Sequence, residues 1–162
     1  MEEKFNKIDI TLVGVGMIWY EDDTFSFERL TDKKIKAVVE LVKDGVIYGD
    51  LTASELVDVK EERLHWAAAQ RYIHDLRYPC KNNEKVINYD FSQAYYASLQ
   101  YHTLVSTFKL IGKRWRHGMY WTTREFEKYW AFRVGFDFAN IQDRADKALA
   151  SGVRPILALK VE

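Results

Sequence analysis

The sequence lacks most of what would announce a chemistry. It has one cysteine, Cys80, so no internal disulfide can form and no thiol pair exists for redox or metal-thiolate work. Its four histidines, His65, His74, His102 and His117, fall at no metal-ligand spacing; His65 and His74 are nine apart and share no helix face. Val13-Gly14-Val15-Gly16 has no third glycine opening a helix, which removes a dinucleotide fingerprint. No run approaches the ~18 apolar residues of a membrane-spanning helix. Lys and Arg together number 24, as do Asp and Glu, so the formal net charge is zero and no global field draws the chain to nucleic acid or an anionic membrane. Met1 to Asp9 is charged and has no apolar segment of the kind a secretory signal carries; the expected setting is the cytoplasm or a virion, or a surface if the chain is a trimmed piece. Only two prolines with 30% charged residues exclude a collagenous or disordered chain.

Aromatic residues are what the chain has in excess, at 15%: Trp 5, Tyr 10 and Phe 9. In a chain of 162 residues, long enough for one domain with a sizeable core, they suit a β-rich interior or a binding surface. The pattern begins with strands. Ile8 to Tyr20 is β-branched and aromatic, Thr24 to Phe27 alternates, and Ile35 to Val42 is followed by Lys43-Asp44-Gly45 and Val46 to Leu51, a hairpin with an Asp-Gly turn. Leu64, Trp66, Ala69, Ile73 and Leu76 then recur at helical spacing, and Pro79 ends that helix. A second helix begins near Asp90 or Ser92, carries Ala94, Ala97, Tyr101, Leu104 and Phe108 on one face, and stops at Gly112. Past Trp115 alternation returns: Phe132, Val134, Phe136 and Phe138 share one face, and Ala131, Arg133, Gly135 and Asp137 the other. The order of strands, helices and strands predicts an α+β fold. Gln142 to Ala150 reads as helix by propensity.

The last third of the chain carries a resemblance. Tyr120-Trp121 is followed by Thr122-Thr123, Glu125, Ala131-Phe132, Val134, Phe136, Ala139, Ile141 and Lys147, and closes on Val153-Arg154-Pro155-Ile156. This resembles the pattern Y-W-S-S-T-E, five variable positions, A-W-x-V-x-F-x-x-G-x-V, a later Lys and V-R-P-V of the DUF1566/FISUMP-type domains. It resembles still more the variable proteins of diversity-generating retroelements. The spacing holds without a gap from Tyr120 to Lys147. Looser likenesses lie upstream, at Val13-Gly14 through Ser26, Lys33 to Val39 and Leu64 to Ala69. The usual W-R-L-P-T segment is absent, replaced by Val86 to Ser92, and Ala139 stands for a glycine.

The resemblance implies one C-type-lectin-like domain over residues 1–162, with two helices flanking small twisted antiparallel sheets. It implies that Ile8–Val15 pairs with Val153–Leu159, and that loop and strand edge replace the helix propensity after Gln142. Tyr120, Trp121, Phe132, Val134, Phe136 and Arg154 become scaffold, and Trp66, Ile73 and Leu104 are expected to be buried with them. The implied function is recognition through the intervening positions: Phe126, Glu127, Tyr129, Trp130, Arg133, Asp137, Phe138, Asn140, Gln142, Asp143 and Arg144, expected as one exposed surface. The expected partner is a protein or cell-surface ligand, with no nucleic acid as primary ligand, no membrane insertion, no metal or cofactor, and a homo-oligomer compatible with the pattern. The competing functions are a structural piece of a phage tail or surface fibre, and an enzyme of the formylglycine-generating type, which lone Cys80 does not equip. Two further segments admit a chemical reading beside a plain one: Glu21-Asp22-Asp23 as a Ca²⁺ loop or a solvated turn, and Lys113-Arg114-Trp115-Arg116-His117 as a phosphate patch or a solvated loop.

Overall fold

Asp44 and Gly45 form the firmest local signal in the chain. In the computed structural model, which describes residues 8–137 and 141–161, both take positive φ, 53° and 75°, as a tight hairpin turn requires. The elements run β1 (Ile18–Tyr20), β2 (Phe25–Ser26), β3 (Ile35–Lys43), β4 (Val46–Asp50), β5 (Arg63–Leu64), α1 (Trp66–Asp75) and β6 (Glu84–Ile87). They continue with α2 (Phe91–Ser98), α3 (Tyr101–Leu110), β7 (Met119–Glu127), β8 (Trp130–Gly135), β9 (Gln142–Asp146), β10 (Ser151–Gly152) and β11 (Ile156–Lys160). The first sheet has the order β2-β1-β3-β4-β11-β6 and is antiparallel throughout. The second, β5-β10-β7-β8-β9, is antiparallel except where β10 runs parallel to β7. The fold is α+β, with antiparallel-rich sheets.

α2 and α3 pack between the sheets. Their Ala94, Ala97, Leu104 and Phe108 meet Val38 and Ile156 from the first sheet and Tyr120, Val134 and Phe136 from the second. Each such side chain removed from water contributes on the order of 1.5–3 kcal/mol if large. The opposite face of the first sheet, Trp19, Ala37, Val39, Ile47, Leu157 and Leu159, is covered by the segment holding Ile8, Ile10 and Val13 and by Tyr72, Leu76 and Tyr78. α1 covers the other face of the second sheet, packing Ala69 and Ile73 on Trp121, Ala131, Ala145 and Val153. Gly49 lets β4 cross the Trp19 indole: a Cβ there would sit 2.6 Å from that of Ala37 and 2.8 Å from the ring.

Four expectations are corrected. The long first strand is instead a 3-10 turn at Ile10–Leu12 followed by β1, with Gly16 at φ 89° turning the backbone between them. β11 does not pair with the N-terminal segment; it lies between β4 and β6, and the two ends share a sheet without being neighbours. The second helix is broken in two around Leu99–Gln100, so there are three α-helices among the described residues. Trp66 is half-buried, because as the first residue of α1 it lies at the helix end, where its indole donates to the Thr122 carbonyl at 3.0 Å. Ile73, Leu104, Trp121, Val134 and Phe136 are buried as expected, and Gln142–Asp146 is strand, not helix.

The Val-Arg-Pro end is held by charge. Arg154 is 2% exposed, pairs with Asp50, donates to the Arg116 carbonyl, and lies 4.3–4.6 Å over the rings of Tyr120, Trp115 and Phe136. Two buried carboxyls share this one cation. Burial pulls Asp50 upward, but Arg154 and the bonds from Thr52 outweigh it and hold Asp50 below the usual range. Burial, and then the Asp50 charge, push Glu40 well above it; the Tyr89 hydroxyl donates to Glu40 at 3.1 Å. A carboxyl raised in the fold keeps a proton that the unfolded chain releases. Its stabilising contribution is complete below the unfolded value and declines as pH rises through the folded one. Glu40→Gln removes that decline, so urea titrations should show the variant gaining on wild type progressively above about pH 4.3. Parallel stability curves would mean that Glu40 is ionised in the fold.

Candidate functional site

β7 is the element that builds an outer arm. Its burial runs from Tyr120, Trp121 and Thr122 inside the body to Thr123 through Glu127 in solvent. Between Trp121 and Glu125 the register with β8 slips, so β7 bulges; Thr123 N–H leaves the ladder for the Tyr89 carbonyl, and the Thr122 hydroxyl donates to the Phe132 carbonyl at 2.9 Å. A bulge raises local twist and re-aims the strand. Beyond it, the hairpin passes through Lys128-Tyr129 and returns as β8, with β9 as the outermost strand.

The strand register sorts the arm into two faces. Trp130, Phe132 and Val134 pair across to Asp146, Arg144 and Gln142, while Ala131 and Arg133 pair with Ala145 and Asp143. On the first face the rings are stacked with cations. Phe132 lies 5.0 Å from Phe91 of α2 and 5.9 Å from Phe126. The Arg124 guanidinium is 5.3 Å over Phe132 and 5.9 Å over Phe91, and that of Arg144 is 4.2 Å over Phe126. Phe126, Tyr129 and Trp130 are 48%, 64% and 42% exposed, a concentration of large apolar side chains at one extremity.

The second face is closed. Arg133 forks onto Asp143, with Nε at 2.9 Å, donates to the Ser151 hydroxyl at 2.7 Å and lies over Trp121, beneath α1. Lys147 clamps the turn end: its ammonium lies 4.6 Å over Trp66, reaches Glu125 at 2.6 Å and bonds the Lys128 carbonyl. The sequence therefore misplaced part of the surface. Arg133 and Asp143 alternate outward, but Arg133 is covered against Trp121, and the partly exposed Asp143 carboxylate is committed to its guanidinium, so neither is a free contact position. Asp137 is half-buried at the other end of β8. Phe126, Trp130, Gln142 and Arg144 share the open face, Glu127 and Tyr129 are exposed at the turn, and Phe138 and Asn140 lie outside the described residues. The expected single surface of all these positions is not formed.

Three members of the open face were missed: Phe91, Arg124 and Phe132. Phe132, expected as scaffold, is half-buried and carries the Arg124 stack, edge-to-face with the Phe126 ring that lies beneath Arg144. The signal for Arg124 was present, since it stands where the resembled pattern has threonine and two residues before Phe126 on the same strand.

The acidic turn, the basic segment, Cys80 and His65 have plain structural occupations. Asp22 is paired with Lys33 at 2.9 Å; Asp23 holds Lys36 at 2.8 Å and Lys81 at 3.2 Å and accepts from the Trp19 indole. Those carboxylates serve lysines. In the basic segment Trp115 is buried, Arg114 is paired with Glu61 and Arg116 bonds the Val59 carbonyl. Burial, and then Glu84, push the Cys80 thiol up, away from a reactive thiolate. His65 caps α1, accepting from Ala68 N–H.

No family model and no curated protein matches the chain. Among solved structures the chain is similar to that of botrocetin, at 8% identity and a TM-score of 0.39, covering 74% of this chain and 94% of that one. A superposition of that size supports no statement on function.

Proposed function

We propose that this chain is a ligand-binding protein that takes a protein or cell-surface ligand on the open face and tip of the β7–β8–β9 arm. One observation carries the reading: Phe126, Tyr129 and Trp130 are exposed together beside ring-stacked Arg124 and Arg144, on a hairpin whose reverse side is fixed to the body. Aromatic and arginine side chains dominate the energetics of protein recognition. Here the stacking already restricts the arginines, so less rotamer entropy is lost on binding. The arm is a rigid support, not a loop that must order itself.

A finer reading, that the fold is C-type-lectin-like and the chain a variable protein of a diversity-generating retroelement, is supported by the gapless Tyr120–Lys147 spacing. It is also supported by the burial of Tyr120, Trp121, Val134, Phe136 and Arg154 between exposed positions. The Arg133–Asp143 pair is a departure, since two of the implied contact positions support the arm instead. Sequencing the locus tests this finer reading: a reverse-transcriptase gene beside a near-copy of the codons for residues 120–156 supports it, and a locus with neither overturns it.

For binding itself, Phe126→Ser, Tyr129→Ser and Trp130→Ser are combined. Surface positions move stability little, so the triple variant is expected to melt within a few degrees of wild type. It should fail to retain peptides selected on wild type from a random display library. Equal retention by both proteins would sink the proposal.

A further inference from the structure

We propose that the ligand of this arm is an acidic peptide segment of a partner protein, laid across the open face with its carboxylates on Arg124 and Arg144 and an apolar side chain against the exposed rings. The inference rests on the ligand-binding reading above and names the chemistry of that site.

The charge inventory of the arm points to it. Arg133 is neutralised by Asp143, and Lys147 by Glu125. Arg124 and Arg144 have no carboxylate in salt-bridge distance among the described residues; each has only an aromatic ring beneath it. A guanidinium stacked on a ring keeps its N–H edges free, in the planar fork that accepts a carboxylate two bonds at a time. One guanidinium lies over each ring of the edge-to-face Phe126–Phe132 pair, so two anion seats share one aromatic support. The arm's own free carboxylates do not fill them: Asp146 accepts from the Ala148 N–H at 2.8 Å, and Glu127 is at the turn.

The sheet order places both seats. Arg144 starts on β9, but its guanidinium reaches inward over Phe126 of β7, and that of Arg124 lies over Phe132 of β8 and Phe91 of α2. Both cations therefore lie over the middle of the open face, and a segment that meets both crosses that face. A nucleic acid fits less well. Two guanidiniums neutralise few phosphates.

The test uses the full chain and a random-peptide display library, with Arg124→Gln/Arg144→Gln and the triple serine variant as comparisons after each is shown to melt like wild type. Enriched peptides are synthesised with a fluorophore and titrated by anisotropy. Peptides with two or more Asp or Glu around an aromatic or aliphatic residue should be enriched. Their affinity should fall on the order of tenfold or more in the double glutamine variant, as expected for losing a charge-assisted bond. It should also fall as salt is raised. Neutral or basic peptides that bind wild type and not the triple serine variant would overturn the acidic-peptide assignment and leave the ligand-binding reading standing. No enrichment, or peptides held equally by the triple serine variant, would overturn both. Tighter binding of a labelled oligothymidylate than of any peptide, lost in the double glutamine variant, would replace the peptide with a nucleic acid.

Discussion

Replacing Arg154 by methionine is expected to lower folding stability by about 3–5 kcal/mol, because it leaves a buried carboxylate without its cation. Asp50 is fully buried, and Arg154 is the cation paired with it; methionine keeps much of the side chain's volume against Trp115, Tyr120 and Phe136 while removing the charge. Volume loss is therefore not the main term. Two features separate the charge effect from a general packing defect. Asp50→Asn in the Arg154→Met background should recover a large part of the loss, since asparagine still accepts from Thr52 and brings no charge. The deficit should also depend on pH. Asp50 is held below its unfolded value, so its stabilising contribution is present above that unfolded value and is lost as pH falls through the folded one. Without Arg154 that advantage is gone at neutral pH, and in acid Asp50 becomes a neutral buried carboxyl in variant and wild type alike. Denaturant midpoints for the two proteins should converge as pH falls. A deficit that is the same at every pH, and that Asp50→Asn does not relieve, would show packing alone at work.

Local signals in the sequence were legible, and tertiary ones were not. The β3–β4 hairpin was readable because Asp44-Gly45 declares its own backbone geometry. The start of α2 was readable because Asp90 and Gln93 form a reciprocal capping box. The start of β1 was lost because the β-branched and aromatic content of Ile8–Tyr20 is a statement about side chains, and Gly16 breaks the backbone beneath it. β6 was missed for a related reason: Glu84–Ile87 has little pattern of its own and becomes a strand by pairing with β11. The site divides in the same way. Exposure of Phe126, Tyr129 and Trp130, which the resemblance implied, follows from a hairpin that runs past the body, where a loop was expected. Which face of β8 is open depends on where α1 docks, and nothing in residues 130–135 encodes that. Period-two patterning said correctly that Arg133 and Val134 point to opposite sides. It could not say that both sides are covered near the body and only one is open near the tip.

Trp121→Ala is the other large effect. Its indole is 2% exposed, packs among Ala69, Ile73, Ala131, Ala145 and Val153, and donates to the Leu64 carbonyl at 2.8 Å. Truncating a buried tryptophan removes its transfer free energy and leaves a cavity, a loss of about 3–5 kcal/mol. The Leu64 carbonyl also loses its donor, and Trp121→Phe, which keeps a ring, should isolate that part at about 1–3 kcal/mol. Urea unfolding measures both; a loss below about 1 kcal/mol for alanine would remove Trp121 from the scaffold. The indole further supports the arm's closed face, since the Arg133 guanidinium lies 5.7 Å over it while forking onto Asp143. Taking the ring away opens that ion pair to water, where it is worth less. Arg133→Ala should therefore cost less stability in the Trp121→Ala background than in wild type, a non-additivity that a double-mutant cycle reads directly. Strict additivity would mean that Arg133 is held by Asp143 and Ser151 alone, and that the arm's reverse side is fixed independently of the α1 core.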